Sequence, residues 1–442
     1  MKKFYSFLFA AVALVGFAAC NSDSTEEPAP AQENVGKMEF TANIGEDTKT
    51  ALDGLNVTWC EGDIIGIWDG TATQPFTATE INGKSAKFEG MAALGQAKYY
   101  AVYPYVEGAT CADGVWTGVN FNNNQEAVIG TFACGANISF AEAEGTHLTF
   151  TNSLAVLKFQ VPVACKLVEF VANNALLVKA WGTDENKMQP EKDYYVTVPA
   201  GEYKLTARVD GYLSVASTKT LEVATNKIYN LKTLPAPVES DWGIKGAFTD
   251  GNNWNTHVKM YKETESLFVV KNVQGKDKDF KITDGNTWLG GDFALLNKWC
   301  NTFDGPNLKL PAEKCDIYFD INEKIFCIVE AGTKVPEIPY LYLNVEFDGW
   351  FSDNARFAVC FMNDDKLKQH WYSFNGLTKE NRIGSVPCFG GYKYVVFCRM
   401  NGRNSTNNWG NRWNQTQDEV IPANGNNMVT ITGWDNYSWS KK

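Results

Sequence analysis

From Leu157 to Val161 the side chains alternate, with Leu157, Phe159 and Val161 apolar and Lys158 and Gln160 polar between them. A period of two is the mark of a strand with one face buried. The same short pattern recurs along the chain between turn residues. Val57-Thr58-Trp59-Cys60-Glu61-Gly62-Asp63-Ile64-Ile65-Gly66-Ile67-Trp68 reads as strand, Gly-Asp turn, strand. Long helical periodicities are few, and the chain is rich in Gly, Val, Thr, Tyr, Phe and Trp. Apart from Gly, which serves turns, these are the residues that strands favour. A length of 442 residues is enough for three or four domains. The expected fold is mostly β, as tandem β-sandwich domains.

The N-terminus sets the compartment. Lys2-Lys3, an apolar run from Phe4 to Phe17 and then small residues have the layout of a signal peptide. No later apolar stretch is long enough to span a bilayer. The run closes on Phe17-Ala18-Ala19-Cys20, which resembles the lipobox of bacterial lipoproteins, although Phe17 stands where Leu is usual. That resemblance implies that Cys20 becomes the acylated first residue of the mature chain, since several acyl chains anchor firmly where one does not. Asn21 to Pro30 is polar, acidic and Pro-bearing, as expected of a flexible tether. Its acidic residues resemble the surface-export signal of Bacteroidetes lipoproteins. The implied location is the outer membrane, lipid-anchored and facing the exterior.

A net charge of −11 argues against nucleic acid, whose affinity rests on cations. Ten cysteines follow Cys20, none in Cys-x-x-Cys spacing. Disulfides and buried free thiols both remain open. His147, His257 and His370 show no ligand spacing, so no metal or cofactor is expected. No nucleophile elbow or phosphate loop occurs, and no carboxylate pair is evident among Asp284, Asp364 and Asp365. A non-enzyme is expected.

Thr48-Lys49-Thr50, a Trp before Gly-Asp and Tyr99-Tyr100-Ala101-Val102-Tyr103-Pro104-Tyr105 together resemble the fimbrillin-like lipoproteins of Bacteroidetes. The resemblance implies two successive β-sandwich units, at 37–148 and 149–234, after a leader at 1–19 and a lipidated Cys and tether at 20–36. It also implies polymerisation after cleavage at an early Arg, but the first Arg of the chain is Arg208. Lys37 or Lys49 could serve a different protease.

Pro235 to Ser240 reads as a boundary, and the composition changes beyond it. Of 14 Trp, ten follow Ser240. Buried indoles each need a partner for the N–H, so some of these should be exposed. The order from Trp242 to Cys327 resembles the starch-binding sandwich repeats of the starch-utilisation surface lipoproteins, giving a unit at 241–332. The resemblance implies a glycan site at Trp254, Lys281 and Trp288, which fall on its motif positions, with Trp299 nearby. The last unit, 338–442, ends in Asn414-Gln415-Thr416-Gln417-Asp418, which resembles starch-binding modules of family 26. Phe357 and Phe361 stand where that family often has Tyr. Sugar rings need flat aromatic faces and polar groups for their hydroxyls. Trp371, Trp409, Trp413 and Gln415, with Asn407, Asn408, Asn411 and Arg412, supply both. Trp409 and Trp413 are four apart and would share one face of a strand. Trp242, Trp350 and Trp434 are expected in core or edge packing.

The combined resemblance implies non-catalytic capture of polysaccharide, a starch-like α-glucan first, beside a glycan importer complex. The alternative is a fimbrial tip or adhesin component that joins fimbrial subunits.

Overall fold

The computed structural model describes residues 35–44, 58–248 and 254–442. The leader, Cys20, the tether up to residue 34 and Thr48-Lys49-Thr50 lie outside the described residues, while Val35 and Gly36, expected in the tether, belong to the first strand. The fold is mostly β, in successive sheet units. No helix among the described residues is long and apolar enough to cross a membrane.

The first unit closes into a barrel of seven strands. Strand Val35–Ile44 runs antiparallel to Ser85–Ala93, with Phe40 opposite Phe88, and parallel to His147–Asn152, with Ala42 opposite Leu148. Closure leaves this sheet no open edge. Phe40, Phe76, Phe88, Trp59 and Phe150 fill the interior. Cys60 and Cys134 form a disulfide, and the other described cysteines are free.

Two sheets make the next unit. Tyr194–Val198, Ala155–Gln160 and Ile228–Thr233 form one. Leu205–Val209, Leu167–Ala172 and Ala175–Trp181 lie at the centre of the other, which also takes in the distant strand Asn124–Glu126. Leu157, Phe159 and Val161 are buried between them, as their alternation requires. Lys158 and Gln160 point away and meet the Asp193 carboxylate at 2.8 and 2.9 Å. The Arg208 guanidinium grips both oxygens of Glu263 across the following boundary, and Tyr212 packs on Tyr261 with ring centroids 4.2 Å apart.

The third unit is one continuous sheet of nine strands that folds around its own core. In Leu267–Gln274, Lys314–Asp320 and Ile325–Glu330 both faces are apolar. Val270, Ile317, Phe319, Phe326 and Ile328 line the inner core. Val269, Tyr318, Cys327 and Val329 point the other way and share a core with Leu341, Phe361, Phe389 and Val395 of the last unit. That unit is a sandwich. Ile383–Pro387, Tyr340–Val345, Met428–Ile431 and Tyr437–Ser440 face Gln369–Ser373, Arg356–Met362, Tyr394–Met400 and Arg412–Gln415.

Polar clasps border the shared core. The Trp299 indole N–H donates to the Pro336 carbonyl at 2.9 Å, and the Tyr372 hydroxyl to Glu323 Oε2 at 2.7 Å. His370 lies among Phe303, Tyr372 and Phe389. Burial pushes its imidazole down to about 4 from an ordinary 6.5, against the opposing pull of the Asp292 carboxylate. The folded state therefore holds His370 neutral where the unfolded chain would take up a proton. This coupling costs nothing above pH 6.5 and grows as pH falls to about 4, reaching on the order of 3 kcal/mol. His370→Phe, which cannot protonate, should lose less stability than wild type between pH 6.5 and 4 in urea unfolding; equal losses would show that His370 does not carry the effect.

Candidate functional site

Two aromatic cradles lie on outward faces of the C-terminal half. In the third unit, strands Glu239–Gly246 and Asp279–Thr283 pair antiparallel. Ile244, Phe280 and Ile282 turn into the core, which leaves Gly243, Lys245, Lys281 and Thr283 on the opposite face. Trp288 sits across from Thr283. Its ring lies 6.3 Å from that of Trp254, with the planes inclined at 41°. The Lys245 ammonium stands 5.6 Å from the Trp288 ring centroid.

The backbone supports this face at several points. Trp254 adopts φ +66°, a left-handed conformation rare for a bulky residue, with its N–H on the Gly246 carbonyl at 3.2 Å. Such conformations cost on the order of 1–3 kcal/mol and persist only where the surroundings impose them. Asp284 accepts the amides of Asn286 and Thr287 at 2.9 and 2.6 Å, and so pins the loop that presents Trp288. Those amides hold its carboxyl below the ordinary range. His257 reaches the Thr283 carbonyl at 3.1 Å by crossing Gly243, where a Cβ would lie 2.6 Å from its Nε2. Burial, then the charges of Lys259 and Lys245, lower its pKa.

The second cradle covers the outer face of the last sandwich. Ala358, Cys360, Met362, Val396, Cys398 and Met400 make an apolar floor under Trp371, Tyr394 and Trp409. Trp371 and Trp409 meet edge to face, 4.8 Å apart at 70°. The Trp409 N–H donates to Gln369 Oε1 at 2.7 Å. The Arg412 guanidinium lies 5.6 Å from the Trp409 ring and donates to Gln415 Oε1.

Trp413 does not join Trp409. Residues Trp409–Asn411 form a short 3-10 turn, capped by the Asn408 side chain accepting from Asn411 N–H, and the strand begins only at Arg412. The turn breaks the two-residue period, so Trp413 faces elsewhere. It is 41% exposed and lies 4.8 Å from the guanidinium carbon of Arg399. Trp434 flanks the same guanidinium at 5.7 Å and is 46% exposed, rather than packed away, because its ring rests edge-on against Phe347 at the rim. Arg399 itself is only 5% exposed. Its Nε donates to the Trp350 carbonyl at 2.9 Å, and its Nη2 to the Ser352 carbonyl, Ser352 Oγ and Asp353 Oδ2 at 2.6 to 2.9 Å.

Other candidates have structural duties. Asn407 bridges Arg356 and Ser373, and Asn411 holds the Thr406 carbonyl, so both serve the loop. Phe357 and Phe361 are in the core, as is Trp350, while Trp242 packs on Phe319 at the edge of the third unit's core. Trp299 is buried in the joint between the last two units. Lys245, Gln369 and Arg399 were not singled out in the sequence, since each meets its partners through strands far apart in the chain, and Trp434 was expected only in core or edge packing. The Asn-Trp-Gly-Asn run did carry a signal, an Asn cap followed by Gly, that reads as a turn.

Among the described residues, one grouping has metal-like spacing: Cys60, Asp63 and Cys134. Its sulfurs are bonded to each other, and the Asp63 oxygens already accept Cys60 N–H and the Tyr103 hydroxyl, each at 2.7 Å.

No family model and no curated protein matches this chain. Among solved structures, a candidate cell adhesion protein of Bacteroides uniformis is similar at 18% identity and TM-score 0.25, covering 46% of this chain and 94% of its own. A second candidate cell adhesion protein, from Bacteroides fragilis, has 10% identity and TM-score 0.24 over 51% of this chain and 94% of its own. SusF of Bacteroides thetaiotaomicron has 14% identity and TM-score 0.17 over 65% of this chain and 77% of its own. At these scores none of them specifies a site.

The buried Arg399 hub makes a direct prediction. Arg399→Ala strands the Trp350 and Ser352 carbonyls and should destabilise the protein by about 3 kcal/mol in urea unfolding. Asp353→Asn, at the exposed end of the same network, should leave the midpoint nearly unchanged.

Proposed function

We propose that the protein is a surface-exposed, lipid-anchored glycan-binding protein, held at Cys20 and carrying its sites in the C-terminal half. The N-terminal units act as a stalk, and the ligand is polysaccharide, with starch-like α-glucan the first candidate. The observation that carries this reading is the Trp254–Trp288 pair, two indoles 6.3 Å apart and inclined at 41°, with Trp254 held at φ +66°. Stability gives no reason to hold a large aromatic residue in a costly backbone conformation on an outward face, whereas a ligand platform does. Inclined faces suit a polymer whose successive rings turn relative to one another, as in an α-glucan.

The Trp371–Trp409 cradle supports the same reading. Gln369, Arg412 and Gln415 put amide and guanidinium groups beside an indole, the combination a sugar needs for its C–H face and its hydroxyls. With two weak sites on one chain, a polymer that engages both is retained far longer than either site alone would hold it.

Affinity electrophoresis of the full chain through amylopectin, glycogen, dextran and polygalacturonate gels tests the proposal. Retardation in at least one gel is expected, with Trp254→Ala and Trp409→Ala each weakening it about tenfold, as loss of a central indole does. Unretarded migration in every gel would refute glycan capture, and unchanged retention in the Trp254→Ala, Trp409→Ala double variant would place the site elsewhere.

A further inference from the structure

We infer that the Trp254–Trp288 cradle prefers, over a neutral glycan of the same backbone, one bearing an anionic substituent, a carboxylate or a sulfate, which docks on Lys245 and Lys281. The inference rests on the glycan-binding reading and names the substrate class of that site.

Lys245 and Lys281 are directly opposite each other on neighbouring antiparallel strands. Side chains so placed have Cβ atoms about 5 Å apart, and like charges there destabilise the sheet. Among the described residues neither lysine forms an ion pair, in a chain with 51 acidic residues against 40 basic ones. Some lysines elsewhere meet carboxylates, as Lys87 meets Glu80 at 3.1 Å and Lys366 meets Asp418 at 2.7 Å, and others stand alone; what sets Lys245 and Lys281 apart is that they face each other.

Two described carboxylates close to Lys281 in the chain have other partners. Asp279, two residues from Lys281 on the same strand, pairs with Lys309 at 3.6 Å. Asp284 spends its oxygens on the amides of its own turn. A third ammonium, that of Lys259, lies on the adjoining strand Val258–Lys262, held to the Asp241 carbonyl at 3.1 Å and 3.9 Å from that residue's carboxylate. The charges of Lys259 and Lys245 lower the His257 pKa, and the Asp284 carboxylate opposes them.

Position ties this charge to the indoles. With Lys245 Nζ 5.6 Å from the Trp288 centroid, an anion on the sugar stacked at Trp288 falls within reach of the ammonium. A neutral glucan would use these lysines only as hydrogen-bond donors and would leave the repulsion between them in place. An anionic substituent removes it, so binding relieves a cost built into the free protein.

The test compares polymers that differ only in charge. The full chain runs through affinity gels containing dextran sulfate or dextran, and polygalacturonate or its methyl ester, in 0.15 M NaCl. At that ionic strength charges beyond about 8 Å are screened, so the net charge of the chain does not mask a local contact. For at least one pair the charged polymer should bind about tenfold more tightly than its neutral counterpart. A preference within the dextran pair assigns sulfate, and one within the galacturonate pair assigns carboxylate. The ratio should fall towards one in Lys245→Gln, Lys281→Gln and persist in Lys245→Arg, Lys281→Arg, which keeps the charge. Thermal unfolding of the Gln double variant should show a midpoint at or above wild type, since repulsion has been removed. Equal retention by charged and neutral members overturns the inference and leaves glycan capture standing. A full charge preference in the Gln double variant also overturns it. No retardation by any of the four polymers overturns the inference, while glycan capture then stands or falls on the amylopectin and glycogen gels.

Discussion

The C-terminal half depends on a sheet that is apolar on both sides. Val269, Tyr318, Cys327 and Val329 would lie in water if the third unit stood alone, and each large apolar side chain left exposed forgoes about 2 kcal/mol. The last sandwich covers them with Leu341, Phe361, Phe389 and Val395. The two units therefore share one core instead of meeting at a polar joint. That core holds the two cradles in relation to each other with no linker between them.

Charge is distributed in the opposite sense to the chain's overall balance. The protein is acidic, yet cations stand beside the indoles of both cradles and between Trp413 and Trp434. Only Arg399 among them is a structural hub, since carbonyls of the Trp350–Asp353 turn absorb its donors. Lys245 and Arg412 stay near the surface, where a ligand can compete for them. Burial therefore separates an arginine that builds the rim from cations that can be used at it.

Strand positions were legible wherever one face is buried. Leu157, Phe159 and Val161 turned inward as their spacing requires. The double-faced strands carried a subtler signal, unbroken apolar runs at Leu267–Val270 and Ile325–Val329, which mean cover on both sides. The aromatic residues of the cradles were legible as types. Their partnerships were not, because Lys245 and Trp288 meet only through the pairing of separate strands. The spacing of Trp409 and Trp413 misled for a local reason: Asn408 caps a turn between them, and a strand period does not survive a turn.

The closed barrel has a mechanical consequence. Its first strand, Val35–Ile44, and its last, His147–Asn152, are parallel neighbours, with Thr41 opposite His147 and Ile44 opposite Phe150. Tension applied before Val35 and after Asn152 pulls these strands along their length in opposite directions. The hydrogen bonds between them are then loaded together in shear, not opened one at a time as in a peeled hairpin. A chain loaded at those two ends would meet its load in the geometry in which a sheet resists force best.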